Sequence, residues 1–340
     1  MKILDESNLF KATVMSISLT LIFPVVATDA LASITPAPSL CEKSKDPNSY
    51  RGDFLRSFTG LQSGSDGWLF REQDLRTSFG PEKDNYKHLR QLRSKLAERG
   101  VTLVMVPIPS RSLVHPEYLG GVSFDRTAAA ASYKQFLQRL RRSDIVVPEL
   151  ERLIDQPADK PMFFARDHHW NHHGARTIAR LTAASIRQQE NYSSIERTLH
   201  ETTLVSKAHN DGSYSRAANK LCDSGFKSEP YKIYQTAAMS DDLFGDVSVA
   251  SISISLVGTS NSSGKLRLNF DGFLSQYAKT GVLNMAESGG GYAKAIESYL
   301  ASRDFQNSPP RFLVWEFPAY YRLNDESFFS GLFQTMRGES

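Results

Sequence analysis

The chain has 340 residues, 40% of them hydrophobic and 23% charged, with 40 Lys and Arg against 37 Asp and Glu for a net charge of +3. That balance, without a dense Lys/Arg stripe interleaved with aromatics, excludes a nucleic-acid-binding footprint. About 300 residues remain after an N-terminal leader, enough for one large domain or two modest ones. Aromatic residues reach 11%, and buried rings are the expected use, with sugar-stacking platforms the functional alternative.

Thr13 to Ala27 is almost wholly apolar but contains Pro24, and Ala30-Leu31-Ala32 is a small-x-small cleavage site. The run is too short to span a bilayer comfortably, so residues 1–32 are expected to be a cleaved signal peptide. Because Asp5 and Glu6 offset Lys2 and Lys11, an uncleaved anchor is the alternative. Residues 33–60 are expected to be an N-terminal arm, ordered near Cys41. The chain has two cysteines, Cys41 and Cys222. In an exported chain they most simply form one disulfide, two unrelated buried thiols being the other reading.

Residues 61–340 read as one domain. Asp66-Gly67-Trp68-Leu69-Phe70 is a turn feeding a short aromatic strand, with the indole in the core. Tyr86 to Arg99 is helical, with Leu89, Leu92 and Leu96 on one face and Gly100 as the stop. Val101 to Val106 follows as a buried strand ended by Pro107 and Pro109. Ala128 to Arg142 is a second helix and Ile145 to Val147 a second short strand. Helices alternating with short apolar strands indicate an α/β fold with parallel pairing.

Asp167-His168-His169-Trp170-Asn171 is the chemically loaded stretch. It sets a carboxylate two residues from an imidazole, where the imidazole can take a proton and the carboxylate can fix its tautomer and stabilise the imidazolium. Asn171 is an N-cap for a helix running from His172 to Gln188, with Ala175, Ile178, Ala179, Ala183 and Ile186 on its apolar side. A zinc site is the competing reading: an earlier helix start would pair His168 with His172 and His169 with His173. No Cys lies near and no Glu is placed as in H-E-x-x-H, so no metal is expected, and His168, His172 and His173 are read as exposed or capping residues. Asn191 to Ser248 is polar and reads as an elaborated loop region covering one side of a site.

Ile252 to Val257 is a strand running into Gly258-Thr259-Ser260-Asn261-Ser262. Ser260 is the candidate nucleophile, since a serine just past a buried strand can present its hydroxyl beside backbone N–H donors for an oxyanion. A plain turn residue is the bland alternative. Gly281 to Met285 is a short strand, followed by Glu287-Ser288-Gly289-Gly290-Gly291-Tyr292 and a helix to Leu300. Phe312 to Phe317 is the last strand, ending at Pro318 with Tyr320 and Tyr321 beyond. Three strands thus end in turns of the kind where open α/β sheets place ligands. Arg71 and Arg111 could meet an acidic polysaccharide, although arginines on loops are usually solvated.

Asp-x-His-Trp, the later Gly-Thr-Ser, Trp315-Glu316-x-Pro318 and the Asp66 to Phe70 turn occur in the same order as in the alginate O-acetyltransferase family, the AlgX and AlgJ group. The chain resembles that family from about Gly64 to Tyr321, and the pair Cys41 and Cys222 resembles the bridge of the AlgX-type enzyme. The resemblance implies an SGNH-hydrolase-like three-layer α/β fold with a parallel sheet and permuted motif order, the Asp/His block preceding the serine block. It implies Asp167 as orienter, His169 as general base and Ser260 as nucleophile. It also places Gly289, Gly290 and Gly291 at a second oxyanion block, Tyr321 near an active-site tyrosine and Trp170 as a wall of the site. Asn261, beside the nucleophile, stands where the family usually has Tyr and is expected to contribute substrate or oxyanion contacts. No cofactor is implied. The short stretch after Tyr321 leads us to expect no carbohydrate-binding module.

The resulting expectation is a periplasmic O-acetyltransferase that modifies an exopolysaccharide through an acetyl-serine. The implied partners are the polysaccharide acceptor, a membrane-bound acyltransferase as acetyl source and export-complex proteins. A carbohydrate O-acetylesterase and a non-catalytic polysaccharide-binding scaffold are the rival readings.

Overall fold

A computed structural model of the protein describes residues 40–239 and 252–337; the expected signal peptide over 1–32 and the first residues of the arm lie outside them. Two short strands, β1 (Gln62–Ser63) and β2 (Leu69–Phe70), pair antiparallel. Asp66 and Gly67 both take positive φ, 52° and 73°, the backbone that a tight hairpin turn needs to match the strands' twist. Trp68 follows at 3% exposure and stacks on Tyr118 with ring centroids 4.3 Å apart.

Helix α1 (Tyr86–Glu98) buries Leu89, Leu92 and Leu96. Strand β3 (Thr102–Ile108) follows and runs through Pro107, where the sequence places a stop. Proline is tolerated because strand N–H groups alternate between the two edges. The Met105 N–H points away from the main sheet to the Val146 carbonyl, so position 107 faces that open side too and forfeits no ladder bond. The expected strand at Ile145 to Val147 is reduced to one bridge, Val104 to Val146. Helices α2 (Arg126–Arg141) and α3 (His172–Arg187) come next; Asn171 caps α3, its side chain accepting from the N–H groups of His173 and Gly174.

The stretch read as a loop region forms regular structure instead over residues 200–238. Strands β4 (His200–Asn210) and β5 (Glu229–Ala238) form a long antiparallel arm on either side of helix α4 (Ser213–Cys222). Most β4 side chains are exposed, so the arm has no apolar alternation to betray it. Beyond it lie β6 (Ile254–Val257), α5 (Phe270–Ala278), β7 (Val282–Asn284), α6 (Lys294–Ala301), β8 (Phe312–Pro318) and α7 (Glu326–Arg337).

The main sheet is parallel throughout, in the order β3-β8-β6-β7. Helices α1, α6 and α7 pack together as one group and α3 with α5 as another, completing a three-layer α/β architecture. Strands β3, β6 and β8 are buried almost end to end, which explains their largely apolar runs. The chain order crosses over between β7 and β8, leaving the carboxyl ends of β6 and β8 side by side. Such a switch point is where a parallel sheet opens a crevice.

A smaller core packs Tyr50, Leu55, Phe58 and Leu61 against Leu69, Tyr214 and Ala217. Cys41 and Cys222 are bridged, their Cα atoms 5.7 Å apart across a separation of 181 residues. A link that long stabilises mainly by restricting the unfolded chain, and it fits an oxidising compartment.

Candidate active site

Two loops meet at the carboxyl end of β6. The first is the reverse turn over 163–170, closed by a bridge between Phe163 and Trp170 and clasped from several sides. The Glu229 carboxylate accepts from the Ala165 and Arg166 N–H groups, 2.8 Å each. Arg111 donates to the carbonyls of Ala165 and Asp167 while lying over the Trp68 ring at 4.6 Å. At 1% exposure it is a structural clasp, which corrects its reading as a surface contact for polysaccharide. Arg71 is corrected likewise: it is buried and donates to the Ser57 carbonyl and the Tyr320 hydroxyl, 3.0 Å each.

At the tip of this turn Asp167 and His169 are buried. The Asp167 Oδ1 accepts from the His169 N–H at 3.0 Å and lies 2.6 Å from His169 Nδ1. Its Oδ2 accepts from Asn210 Nδ2 at 3.0 Å and from the Ser213 N–H at 2.9 Å. Burial alone would raise this carboxyl; the imidazole of His169 and its hydrogen bond, with His168 beside them, overcome that and hold it well below the usual carboxylate range. A carboxylate fixed by four donors cannot rotate away from the imidazole. Asn210 and Ser213 were invisible in the sequence, because ordinary polar residues more than forty positions downstream carry no motif.

The second loop is the turn after β6. Ser260 is partly exposed there, and its Oγ lies 2.8 Å from His169 Nε2. The structure thus brings the Asp167 and His169 pair together with a serine 91 residues beyond His169. Beneath the turn is Glu316 of β8, at 0% exposure. It accepts from the Thr259 N–H at 2.9 Å, the Thr259 hydroxyl at 3.0 Å and the Ser262 hydroxyl at 2.8 Å. Gly258 is required by this close approach, since a Cβ there would sit 2.5 Å from Glu316 Oε2. The sequence marked Glu316 as part of a motif without giving it a task.

Trp170, expected to be a wall of the site, is fully buried and shows no face to a ligand. It pins the serine turn from behind: its indole N–H donates to the Asn261 carbonyl at 2.9 Å and its backbone N–H to Asn261 Oδ1 at 3.2 Å. Asn261 is therefore turned inward, and its side chain is committed to holding the turn. The loop bearing Gly289, Gly290 and Gly291 starts beside the same turn. The Glu287 N–H donates to the Gly258 carbonyl at 3.0 Å, and Ser288 Oγ lies 2.7 Å from Ser263 Oγ. Tyr321 is half-buried, its hydroxyl 3.5 Å from where a Cβ on Gly291 would stand, and it packs on Tyr292 with centroids 5.3 Å apart.

The other histidines are not simply exposed. His168 is half-buried, 2.7 Å from Ser213 Oγ and packed at a tilt against His169 with centroids 3.7 Å apart. Burial and the neighbouring His169 hold it well below its ordinary range, against the pull of Asp167. Ligand-capable atoms of Asp167, His168 and His169 lie within 4.8 Å of one another, but both His169 nitrogens are engaged by Asp167 and Ser260. His172 and His173 open α3, whereas His168 and His169 precede its extended cap, so the helix-face zinc pairing does not form.

His172 gives a pH signature. Burial, reinforced by His173, Lys232 and Arg176, lowers it from 6.5 to about 4. Between those values the unfolded chain binds a proton that the folded chain refuses, so stability falls as pH falls through the window. The melting temperature is expected to drop on acidification from pH 6.5 to about 4, less steeply in His172→Gln; parallel curves for the two proteins would contradict this.

Residues 61–319 match the family model of the SGNH hydrolase-like domain of acetyltransferase AlgX. The alginate biosynthesis protein AlgX of Pseudomonas aeruginosa is 34% identical over 335 residues, covering 95% of this chain and 70% of that protein. This chain spans 61% to 64% of the AlgX proteins of Azotobacter vinelandii and further Pseudomonas species. The solved structure of P. aeruginosa AlgX superposes with a TM-score of 0.80 at 32% identity, over 87% of this chain and 70% of that one. The O-acetyltransferase domain of Pseudomonas putida AlgJ superposes with a TM-score of 0.66 at 25% identity, over 82% of this chain and 99% of that one. With its sheet, its disulfide and its serine turn in place, the chain belongs to the AlgX family of SGNH hydrolase-like domains.

Proposed function

We propose that this protein is a periplasmic O-acetyltransferase that modifies an alginate-like or other exopolysaccharide through an acetyl-serine intermediate. The observation that carries the reading is the continuous relay from Asp167 Oδ1 through His169 to Ser260 Oγ, at 2.6 and 2.8 Å. His169 Nε2 takes the Ser260 proton as Oγ bonds to the acetyl carbonyl carbon, and Asp167 stabilises the imidazolium. Backbone N–H groups of the serine turn and of the loop at Gly289 to Gly291 are the donors we assign to the oxyanion. Collapse expels the donor's oxygen, which takes the proton from His169. An acceptor sugar hydroxyl then gives its proton to His169 and attacks the acetyl-serine, and Ser260 leaves with that proton restored.

The disulfide supports an exported protein, and among the described residues no helix is long and apolar enough to cross a membrane. We assign residues 61–340 to the acetyltransferase domain, 33–60 to the arm and 1–32 to the export signal. A membrane-bound acyltransferase would deliver acetyl to Ser260, and export-complex proteins would bring the polymer. Tyr321, beside the glycine loop, is the side chain we assign to orienting the acceptor.

Transfer to sugar requires that the acceptor outcompete water through orientation and exclusion of solvent. With an activated acetyl ester and oligouronate acceptors, acetyl is expected on the oligosaccharide, read by mass and NMR. Acetyl recovered only as free acetate would assign the same residues to an O-acetylesterase.

A further inference from the structure

We propose that a second binding groove, for the carboxylate-bearing sugars of an acidic polysaccharide, runs along the start of α3, apart from Ser260. The choice of sugar rests on the function proposed above; the groove itself does not. A cavity of about 320 Å³ is walled by Phe163, Tyr231, Lys160, His172 and His173. A second, of about 480 Å³, shares Lys160 and His173 and adds Arg152 and Arg180. Both volumes fall within the roughly 300–1,000 Å³ usual for ligand sites.

The side chains lining the first cavity are more than a solvated basic face. Both ring nitrogens of His172 are shielded from solvent and have no hydrogen-bond partner among the described residues. Shielded polar atoms without partners cost free energy unless something satisfies them. Kept neutral by burial, the His172 ring offers one donor and one acceptor, the pair that a sugar hydroxyl answers. Lys160 lines both cavities, placing an ammonium group where carboxylates would lie. The rings of Phe163 and Tyr231 supply apolar wall for a sugar face. Of the neighbouring acids, Glu149 pairs with Arg152 at 2.5 Å, Glu229 is committed to the N–H groups of Ala165 and Arg166, and Asp159 stands exposed at the margin.

The test is calorimetric titration of the full chain with a hexameric oligouronate and a size-matched neutral glucan. Lys160 and Arg180 are both exposed, so Lys160→Glu combined with Arg180→Glu leaves the fold intact. It is expected to weaken oligouronate binding by about tenfold or more, from two reversed charges, with turnover of a small activated acetyl ester unchanged. His172→Phe, which fills the site without a donor or acceptor, is expected to weaken binding as well. Equal affinity of the charge-reversed and parent proteins, or equal binding of the neutral glucan, overturns the groove. If the parent protein turns over no ester but loses oligouronate on charge reversal, the groove stands and the acyl-transfer reading falls.

Discussion

Ser260→Ala is expected to reduce acetyl release from an activated ester by about ten-thousand-fold or more, the scale on which serine nucleophiles act in such relays. That factor corresponds to about 5.5 kcal/mol of transition-state stabilisation. The loss should be chemical only. Ser260 is partly exposed at the tip of its turn, and the turn's own hydrogen bonds run through Thr259, Asn261 and Ser262. The melting temperature should therefore stay close to that of the parent protein. His169→Ala should cause a comparable loss, and the double variant no more than either alone, because nucleophile and base act as one unit. Undiminished turnover in Ser260→Ala would remove nucleophilic catalysis at this position.

Glu316→Ala is expected to damage both stability and rate. Three donors of the serine turn end on this carboxylate, and at 0% exposure of Glu316 water does not replace it. Each buried donor left without a partner costs roughly 1–3 kcal/mol, so a loss of about 3 kcal/mol or more is expected in urea unfolding. The turn that carries Ser260 would also lose its anchor, and displacement of a reacting group by about 1 Å costs on the order of a hundredfold in rate. Glu316→Gln, which keeps the shape and one accepting oxygen, should recover most of the stability and part of the rate. An alanine variant with parental turnover would show that the serine turn is held by other contacts, Trp170 foremost.

Much of this architecture was legible because burial writes itself into periodicity. Leu89, Leu92 and Leu96 announced α1, and the largely apolar runs of β3 and β8 announced strands covered on both faces. Asp167 and His169 could be read as a pair because residues two apart on an extended turn share a side. Their union with Ser260 depends on packing across the whole domain, and only the order of motifs hinted at it. The arm of β4 and β5 escaped notice because its side chains mostly face water and carry no alternating pattern. Asn210, Ser213 and Glu316 act through long-range hydrogen bonds, which leave no local trace. Arg111 and Arg71 were misread for the opposite reason. Loop arginines are usually solvated, and what buries these two is the aromatic cluster of Trp68, Tyr214 and Tyr320, assembled from distant segments.

Mass spectrometry of the intact and digested protein after brief exposure to an activated acetyl ester addresses the relay most directly. A covalent pathway places one acetyl group on the peptide containing Ser260, absent from Ser260→Ala and slow to appear when His169 is replaced by alanine. Acetyl found elsewhere, with Ser260 unmodified while ester is being consumed, would contradict the acetyl-serine and with it the chemistry assigned to this site.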